Sequence, residues 1–467
     1  MSDLFRNLKE NRFLPIILIN LYLLSHLIIR LTISDTIQVD DIEQLIYAQE
    51  LYLGYPFPQP PMYSWLSWGA FQIFGPNLIA LSVLKYLIIS TIFFLIWKVA
   101  REITVEKIVV HIVLFSYLLM PSFFWHMHQG FTHTLLLSLG IIATVHSLLL
   151  LEKRQDSISY IYFGFSLSIG IMGKYSFVLF LIPLFSSILF IKEFRKLFLN
   201  PKILLSFGVL ILIAFPHLYW FLGNYHTISA EISNRLNISD EVNYIETQIK
   251  IFSAYLGFIF PLILFSMPFY KFAEKHNLNK YQKLTTYFFI FVLVFSIIFP
   301  IFSSIENIKV RWLHPLMILF PIWIGTLISN NKPNKRITRT FNLSILILVV
   351  FVFTIRILQA EVAPKFDIYP RVSVPIKATI QKIPEEIFLQ KNIFTDDREI
   401  AAHALAVFKK KAIFYNDKVL NKKNILDGNK CVYLSINPFK NASKFSFYSK
   451  YGNRKYEIFV DKNYNCL

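Results

Sequence analysis

The chain has 467 residues, 55% of them hydrophobic and only 16% charged, with a formal net charge of +18. So few charges over that length exclude an ordinary soluble globular protein and indicate a polytopic α-helical membrane protein. The basic excess does not indicate nucleic-acid binding, because Lys and Arg cluster between apolar segments and form no basic stripe interleaved with aromatics in a folded module.

Arg6, Lys9 and Arg12 precede an apolar run from Phe13 to near Ile33. That run is too long for the core of a secretory signal and no small-residue cleavage site follows it, so it reads as a first membrane anchor. Further apolar runs lie near 76–97, 108–125, 131–151, 158–173, 176–191, 203–222, 251–269, 285–303, 310–329 and 340–358. With spans of roughly 17–25 residues as the measure, the count is about eleven. The fifth and sixth are short and separated by Gly173-Lys174-Tyr175. Alternate loops carry the basic residues, among them Lys98, Arg101, Lys107, Lys192, Arg195, Lys196, Lys332, Lys335, Arg336 and Arg339, whereas the segment from Leu31 to Leu84 carries none. Cation-rich loops stay in the cytoplasm, so the N-terminus is expected inside, and the first loop and the C-terminal region outside.

The first outer loop, 34–75, holds Val39-Asp40-Asp41-Ile42-Glu43-Gln44 and then Tyr55-Pro56-Phe57-Pro58-Gln59-Pro60-Pro61. Adjacent carboxylates beside a bilayer repel, and they call for a cation, a basic partner or a shared proton. The plainer reading is a set of solvated acids capping a helix over Glu43–Leu53. Two consecutive prolines, however, fix the backbone next to Gln59 and hold the loop in one shape. Farther on, His126, His128 and His133 either ligate a metal or line a polar cavity, and substrate binding is the preferred reading. Lys174, and Arg311 with His314, are among the few basic groups on the outer side. They would suit an anionic lipid phosphate, although a lone Lys at a membrane end often merely snorkels.

Beyond Leu358 the chain becomes polar and Lys-rich, with β-prone runs at Asn392–Phe394, Ala412–Tyr415, Cys431–Ile436 and Tyr456–Val460 and a helix predicted over Arg398–Phe408. Residues 359–467 therefore read as a small extracytoplasmic α/β domain appended to a membrane domain of residues 1–358. Asp396 and Asp397 precede the helix as N-cap and first-turn residues. The only two cysteines, Cys431 and Cys466, both fall in this region. An oxidising compartment predicts that they pair, at roughly 3–4 kcal/mol in the chain-entropy model.

Asp40-Asp41-Ile42-Glu43-Gln44, with Tyr47-Ala48-Gln49, Gly54-Tyr55 and Gln59-Pro60-Pro61-Met62-Tyr63-Ser64-Trp65-Leu66, resembles the first outer loop of the bacterial family 39 glycosyltransferases. These are relatives of protein O-mannosyltransferases and of the lipid A aminoarabinose transferase. Thr132-His133-Thr134, Gly173-Lys174-Tyr175 and Arg311-Trp312-Leu313-His314-Pro315 resemble later signatures of that family. The resemblance implies a GT-C-type bundle with interfacial helices in its first outer loop, a polyprenyl-phosphate-linked sugar as donor, and Asp40 as the catalytic group. The chain departs from the family in having Asp41 where Glu is usual, and Gln59 where Lys or His often precedes the prolines. The second departure leaves the donor phosphate more dependent on Lys174 and Arg311.

The expectation is an inverting glycosyltransferase of the bacterial inner membrane, with a lipopolysaccharide, another envelope glycan or a protein as acceptor. Asp40 and Asp41 are the catalytic candidates, and Glu43, Tyr55, Gln59, His133, Lys174, Arg311 and His314 the substrate-binding ones. No cofactor is required by the pattern, and a divalent metal stays open. The rival readings are a transporter or flippase of lipid-linked intermediates and a non-catalytic membrane assembly subunit. A transporter more often places ionisable groups in mid-span and duplicates its halves, neither of which is evident here.

Overall fold

The structure is a computed structural model that describes residues 13–55, 59–226, 228–229, 243–272, 278–303, 310–328, 334–388, 392–409, 412–414, 430–439, 442–448 and 454–465. Its membrane part is helical, as a bilayer requires when every backbone polar group has to be satisfied within the chain. The helices used below are α1 (Leu14–Ile33), α2 (Val39–Tyr47), α3 (Met62–Phe74), α4 (Leu78–Ile103), α5 (His133–Arg154), α6 (Ser157–Gly173), α7 (Phe177–Leu189), α8 (Ile203–Gly223), α9 (Tyr244–Ser266), α10 (Lys280–Ser303) and α11 (Lys335–Val362).

Each of the eleven apolar runs of the sequence falls on a helix or a bent helix pair. Among the described residues seven helices are long and apolar enough to cross a membrane, or up to nine if each of two bent pairs, Lys107–Leu119 with Pro121–His128 and Phe177–Leu189 with Lys192–Leu199, is one span. Ser157–Gly173 and His314–Leu327 are shorter apolar helices. The two shorter helices account for the remaining two of the eleven apolar runs, and their length alone does not separate a tilted span from a short buried helix.

Helix α5 is apolar all round and is the centre of the bundle, with 89% of its most apolar window buried, against 17% for α8 and 22% for α11, whose Leu, Ile and Phe side chains face outward. Two glycines explain how tightly α6 is held. A Cβ on Gly140 of α5 would lie 2.3 Å from the Gly170 Cα of α6, and one on Gly164 of α6 would lie 2.3 Å from the Ser206 carbonyl oxygen of α8. Backbones approach this closely only where side chains are absent.

The loop between α1 and α4 contains two short helices, α2 and α3. Helix α2 begins at Val39 and ends at Tyr47, not over Glu43–Leu53, so Asp40 and Asp41 lie inside its first turn, where the helix dipole favours negative charge. Helix α3 starts directly after Pro61 and stops at Gly75, whose φ of +74° suits a residue without a side chain.

The C-terminal part carries α12 (Arg398–Phe408) and a five-stranded sheet of β1 (Asn392–Thr395), β2 (Ala412–Phe414), β3 (Lys430–Ser435), β4 (Ser443–Tyr448) and β5 (Lys455–Asn465) in the order β2-β1-β3-β5-β4. Strand β1 runs parallel to β2 and β3, while β5 runs antiparallel to β3 and β4. Asp397 caps α12, its Oδ1 accepting from the amides of Glu399 at 2.8 Å and Ile400 at 2.9 Å. Cys431 is disulfide-bonded. The chain's other cysteine, Cys466, lies outside the described residues. Strand β4 has no counterpart in the sequence reading. It is an edge strand of half-buried Ser, Lys and Phe, without the apolar run that marks its neighbours.

This unit is not a loosely attached appendage. Ile42, Leu45 and Ile46, at i, i+3 and i+4 on α2, belong to the same buried cluster as Ile400, Ala401, Ala404 and Leu405 of α12. Polar contacts reinforce the seam. The Ile37 amide donates to His403 Nε2 at 3.0 Å, Arg371 Nε donates to the Ile37 carbonyl at 2.8 Å, and the Thr36 hydroxyl donates to the Val374 carbonyl at 2.6 Å.

Candidate active site

Helix α2 is held on two sides, by the C-terminal unit and by the membrane bundle, and its polar residues divide accordingly. Asp41 points into the bundle, where the Lys85 ammonium of α4 donates to its Oδ2 at 2.9 Å, both side chains being less than 5% exposed. Lys85 also donates to the Gln129 carbonyl at 3.0 Å, which pins the loop before α5 over the acidic pair. Gln44, one turn on, accepts from the Ser64 hydroxyl at 2.8 Å and lies 3.4 Å from His133 Nε2. Glu43 turns the other way, 3.6 Å from Arg398 at the start of α12.

Asp40 is only partly covered, and Gly130 lies over its carboxylate. A Cβ added to that glycine would sit 3.8 Å from the Asp40 Cγ, in ordinary van der Waals contact with the acid. Burial, and next the neighbouring Asp41 charge, push the Asp40 carboxyl up to about 6, against the opposing pull of Lys85, Lys174 and Arg311. The two adjacent acids therefore differ: one is committed to an ion pair, and the other is accessible and easily protonated.

Lys174 follows the last residue of α6. Gly173 makes its position possible, since a Cβ there would lie 2.8 Å from the Leu136 Cβ of α5. The ammonium donates to the Thr134 hydroxyl at 2.9 Å, and burial, aided by Arg311, lowers it to about 8 while Asp40 pulls the other way. Ser138, one turn along α5 from Thr134, is 3.0 Å from His314 Nε2, and His133 Nδ1 is 3.3 Å from the Gly173 carbonyl. Arg311 is exposed. Asp40, Lys174 and Arg311 thus share one electrostatic neighbourhood, with His133 and His314 on the wall behind Lys174.

Other candidates lie elsewhere. The Tyr55 hydroxyl donates to the Glu50 carbonyl at 2.9 Å and closes its own loop. Gln59 has a buried Oε1 without a partner among the described residues. The three histidines once considered as metal ligands diverge. His126 stacks on Phe131, His128 lies between the hydroxyls of Tyr22 at 3.0 Å and Tyr86 at 3.2 Å, and His133 faces Gln44. Among the described residues no group of three or more His, Cys, Asp or Glu is placed to hold a metal ion. Lys85 was not among the sequence candidates, although a lysine in an apolar span is itself a signal of a buried acidic partner.

Residues 58–220 match the family model described as dolichyl-phosphate-mannose-protein mannosyltransferase. The chain is 27% identical over 308 residues to the lipopolysaccharide core galacturonosyltransferase RgtB of Rhizobium johnstonii, a match covering 63% of this chain and 61% of that protein. It is 22% identical over 317 residues to RgtA of the same organism, covering 66% of this chain and 63% of that protein. The chain thus spans somewhat under two thirds of the length of these relatives. In fold it is similar to ArnT from Cupriavidus metallidurans bound to undecaprenyl phosphate, with a TM-score of 0.62 at 10% identity over 94% of this chain and 97% of that one. The same ArnT in its apo state superposes with a TM-score of 0.57 at 11% identity.

Proposed function

We propose that this chain, a multi-pass member of the GT-C glycosyltransferases, moves a sugar from a polyprenyl-phosphate donor to an acceptor hydroxyl at the outer face of a bacterial inner membrane. The acceptor class favoured by the relatives' names is lipopolysaccharide. The observation that carries the reading is Asp40, an accessible carboxylate held near a pKa of about 6 beside two cations, Lys174 and Arg311.

A general base works best when its pKa lies near the working pH. In this reading Asp40 takes the proton of the acceptor hydroxyl as that oxygen attacks the anomeric carbon from the face opposite the phosphate, inverting it. The bond to the phosphate oxygen breaks, and Lys174 and Arg311 stabilise the charge that gathers there. Phosphate is a good leaving group, so no acid is needed. Asp41 acts indirectly: paired with Lys85, it fixes α2 and supplies the negative charge that helps keep Asp40 protonatable. His133 and His314 would line the sugar and phosphate positions, whereas Tyr55, Gln59 and Glu43 would shape the loop.

The test is transfer from a polyprenyl-phosphate sugar to a lipopolysaccharide acceptor by purified wild type and Asp40→Asn. Loss of a general base lowers turnover by roughly 10²–10⁴-fold, with folding unchanged because Asp40 makes no ion pair among the described residues. Normal turnover by Asp40→Asn would remove the assignment. A transporter or flippase would instead move lipid-linked sugar across vesicles without forming a new glycosidic bond.

A further inference from the structure

A second buried polar site lies away from Asp40, between the first and last labelled helices of the membrane part. Arg30 sits in the last turn of α1 and Arg356 near the end of α11, and both helices end on the side of the membrane that carries α2. The two side chains are 5% and 3% exposed, and both line a small, partly open pocket with Ile29, Ile33, Ser34, Gln359 and Val372.

The hydrogen bonds of these arginines leave their charge uncompensated. Arg30 donates to the carbonyls of Ser34 and Thr36, and Arg356 donates to the carbonyl of His128 at 3.1 Å. The buried Nε of Arg356 has no acceptor among the described residues. The carboxylates that act on Arg30 are Asp41 and Asp35, and both are already engaged, Asp41 with Lys85 at 2.9 Å and Asp35 with Lys377 at 3.2 Å. Among the described residues no acid lines the pocket. Two like charges buried together cost several kcal/mol unless a counter-charge joins them. The pocket wall also offers a hydroxyl from Ser34, an amide from Gln359 and the flanks of Ile29 and Ile33, a combination suited to a charged oxyanion borne on an apolar body.

We infer that Arg30 and Arg356 form a binding site for the phosphate headgroup of an anionic membrane lipid, entering from the bilayer between α1 and α11. The site stands apart from Lys174 and Arg311 and does not depend on the reading proposed for Asp40.

The test uses the full chain, delipidated in neutral detergent, with native mass spectrometry reading bound lipid. Phosphatidylglycerol, diacylglycerol of the same chains and inorganic phosphate serve as the three probes. Phosphatidylglycerol is expected to bind, and diacylglycerol not to. Arg356→Gln, which removes a charge-assisted contact, is expected to lower the apparent affinity by about tenfold or more. Gln359→Trp, which fills the pocket mouth and leaves both arginines in place, should do the same, so the inference survives a failure of the first variant to fold. Unchanged phosphatidylglycerol affinity in a folded variant of either kind overturns it, as does retention of inorganic phosphate with no lipid bound.

Discussion

At the level of single residues, Asp40 and Asp41 are neighbours in sequence with opposite duties in the proposed mechanism, from which the pH dependence of transfer follows. The pH dependence of transfer should show both Asp40 and Lys174. Asp40 has to be ionised to accept a proton, and its carboxyl lies near about 6, so activity is lost as the pH falls through that value. Lys174 has to be protonated to hold phosphate, and its ammonium lies near about 8, so activity is lost again as the pH rises through that value. A bell-shaped kcat/KM profile with limbs near those values is the expected result. Lys174→Arg should move the alkaline limb upward and leave the acid one in place, and a profile flat between pH 5 and 9 would contradict both assignments. Asp41 should behave as a structural residue. Asp41→Asn strands the buried Lys85 charge and should destabilise the protein by about 3–5 kcal/mol. Asp41→Asn combined with Lys85→Met should recover much of that loss in a thermal-unfolding comparison, because both charges leave together.

At the level of elements, the telling contact is between α12 and the strand-like residues that lead into α2. His403 is wholly buried. Its Nδ1–H donates to the Glu399 carbonyl at 2.7 Å, which leaves Nε2 as acceptor for the Ile37 amide at 3.0 Å. Burial, with Arg371, Arg30 and Lys377 adding to it and the Glu399 bond opposing, holds the imidazole down to about 4. A folded pKa below the unfolded one of about 6.5 means that this anchoring is complete above pH 6.5 and is lost as the pH falls through about 4. The protection of the Ile37 amide against hydrogen exchange, taken relative to the intrinsic rate at each pH, should therefore fall in acid. His403→Gln should remove much of the pH dependence and cost on the order of 1–3 kcal/mol through the lost acceptor. An Ile37 protection factor in the variant equal to that of the wild type at every pH would show that the seam is held by its apolar cluster alone.

At the level of the whole molecule, α2 and the C-terminal unit share one buried cluster, so the two lie on the same side of the membrane. In the proposed topology, which rests on the distribution of Lys and Arg, that side is the exterior. Tyr448, exposed on edge strand β4, offers a probe that disturbs no core. A Tyr448→Cys variant is expected to react with a membrane-impermeant thiol reagent in intact spheroplasts. Labelling only after the inner face is opened would invert the topology and carry Asp40 with it to the cytoplasmic side.

The sequence by itself determined the class of the protein, the positions of its apolar helices, the acidic loop and most of the C-terminal unit, including the bounds of α12. Each of these is a local property: hydrophobic runs, charge bias between them, and a cap residue before a helix depend on neighbours along the chain. Only the tertiary structure decided which acid is free. Asp41 finds Lys85 in another helix, and Gln44 finds Ser64 and His133. Glu43 finds Arg398, far along the chain, and those pairings leave Asp40 alone beside Lys174 and Arg311. It also decided that α2 is packed from both sides, and that the buried arginines of α1 and α11 meet. The physical reason is that burial sets the cost of a charge, and burial is fixed by segments far apart in sequence that come together only in the fold.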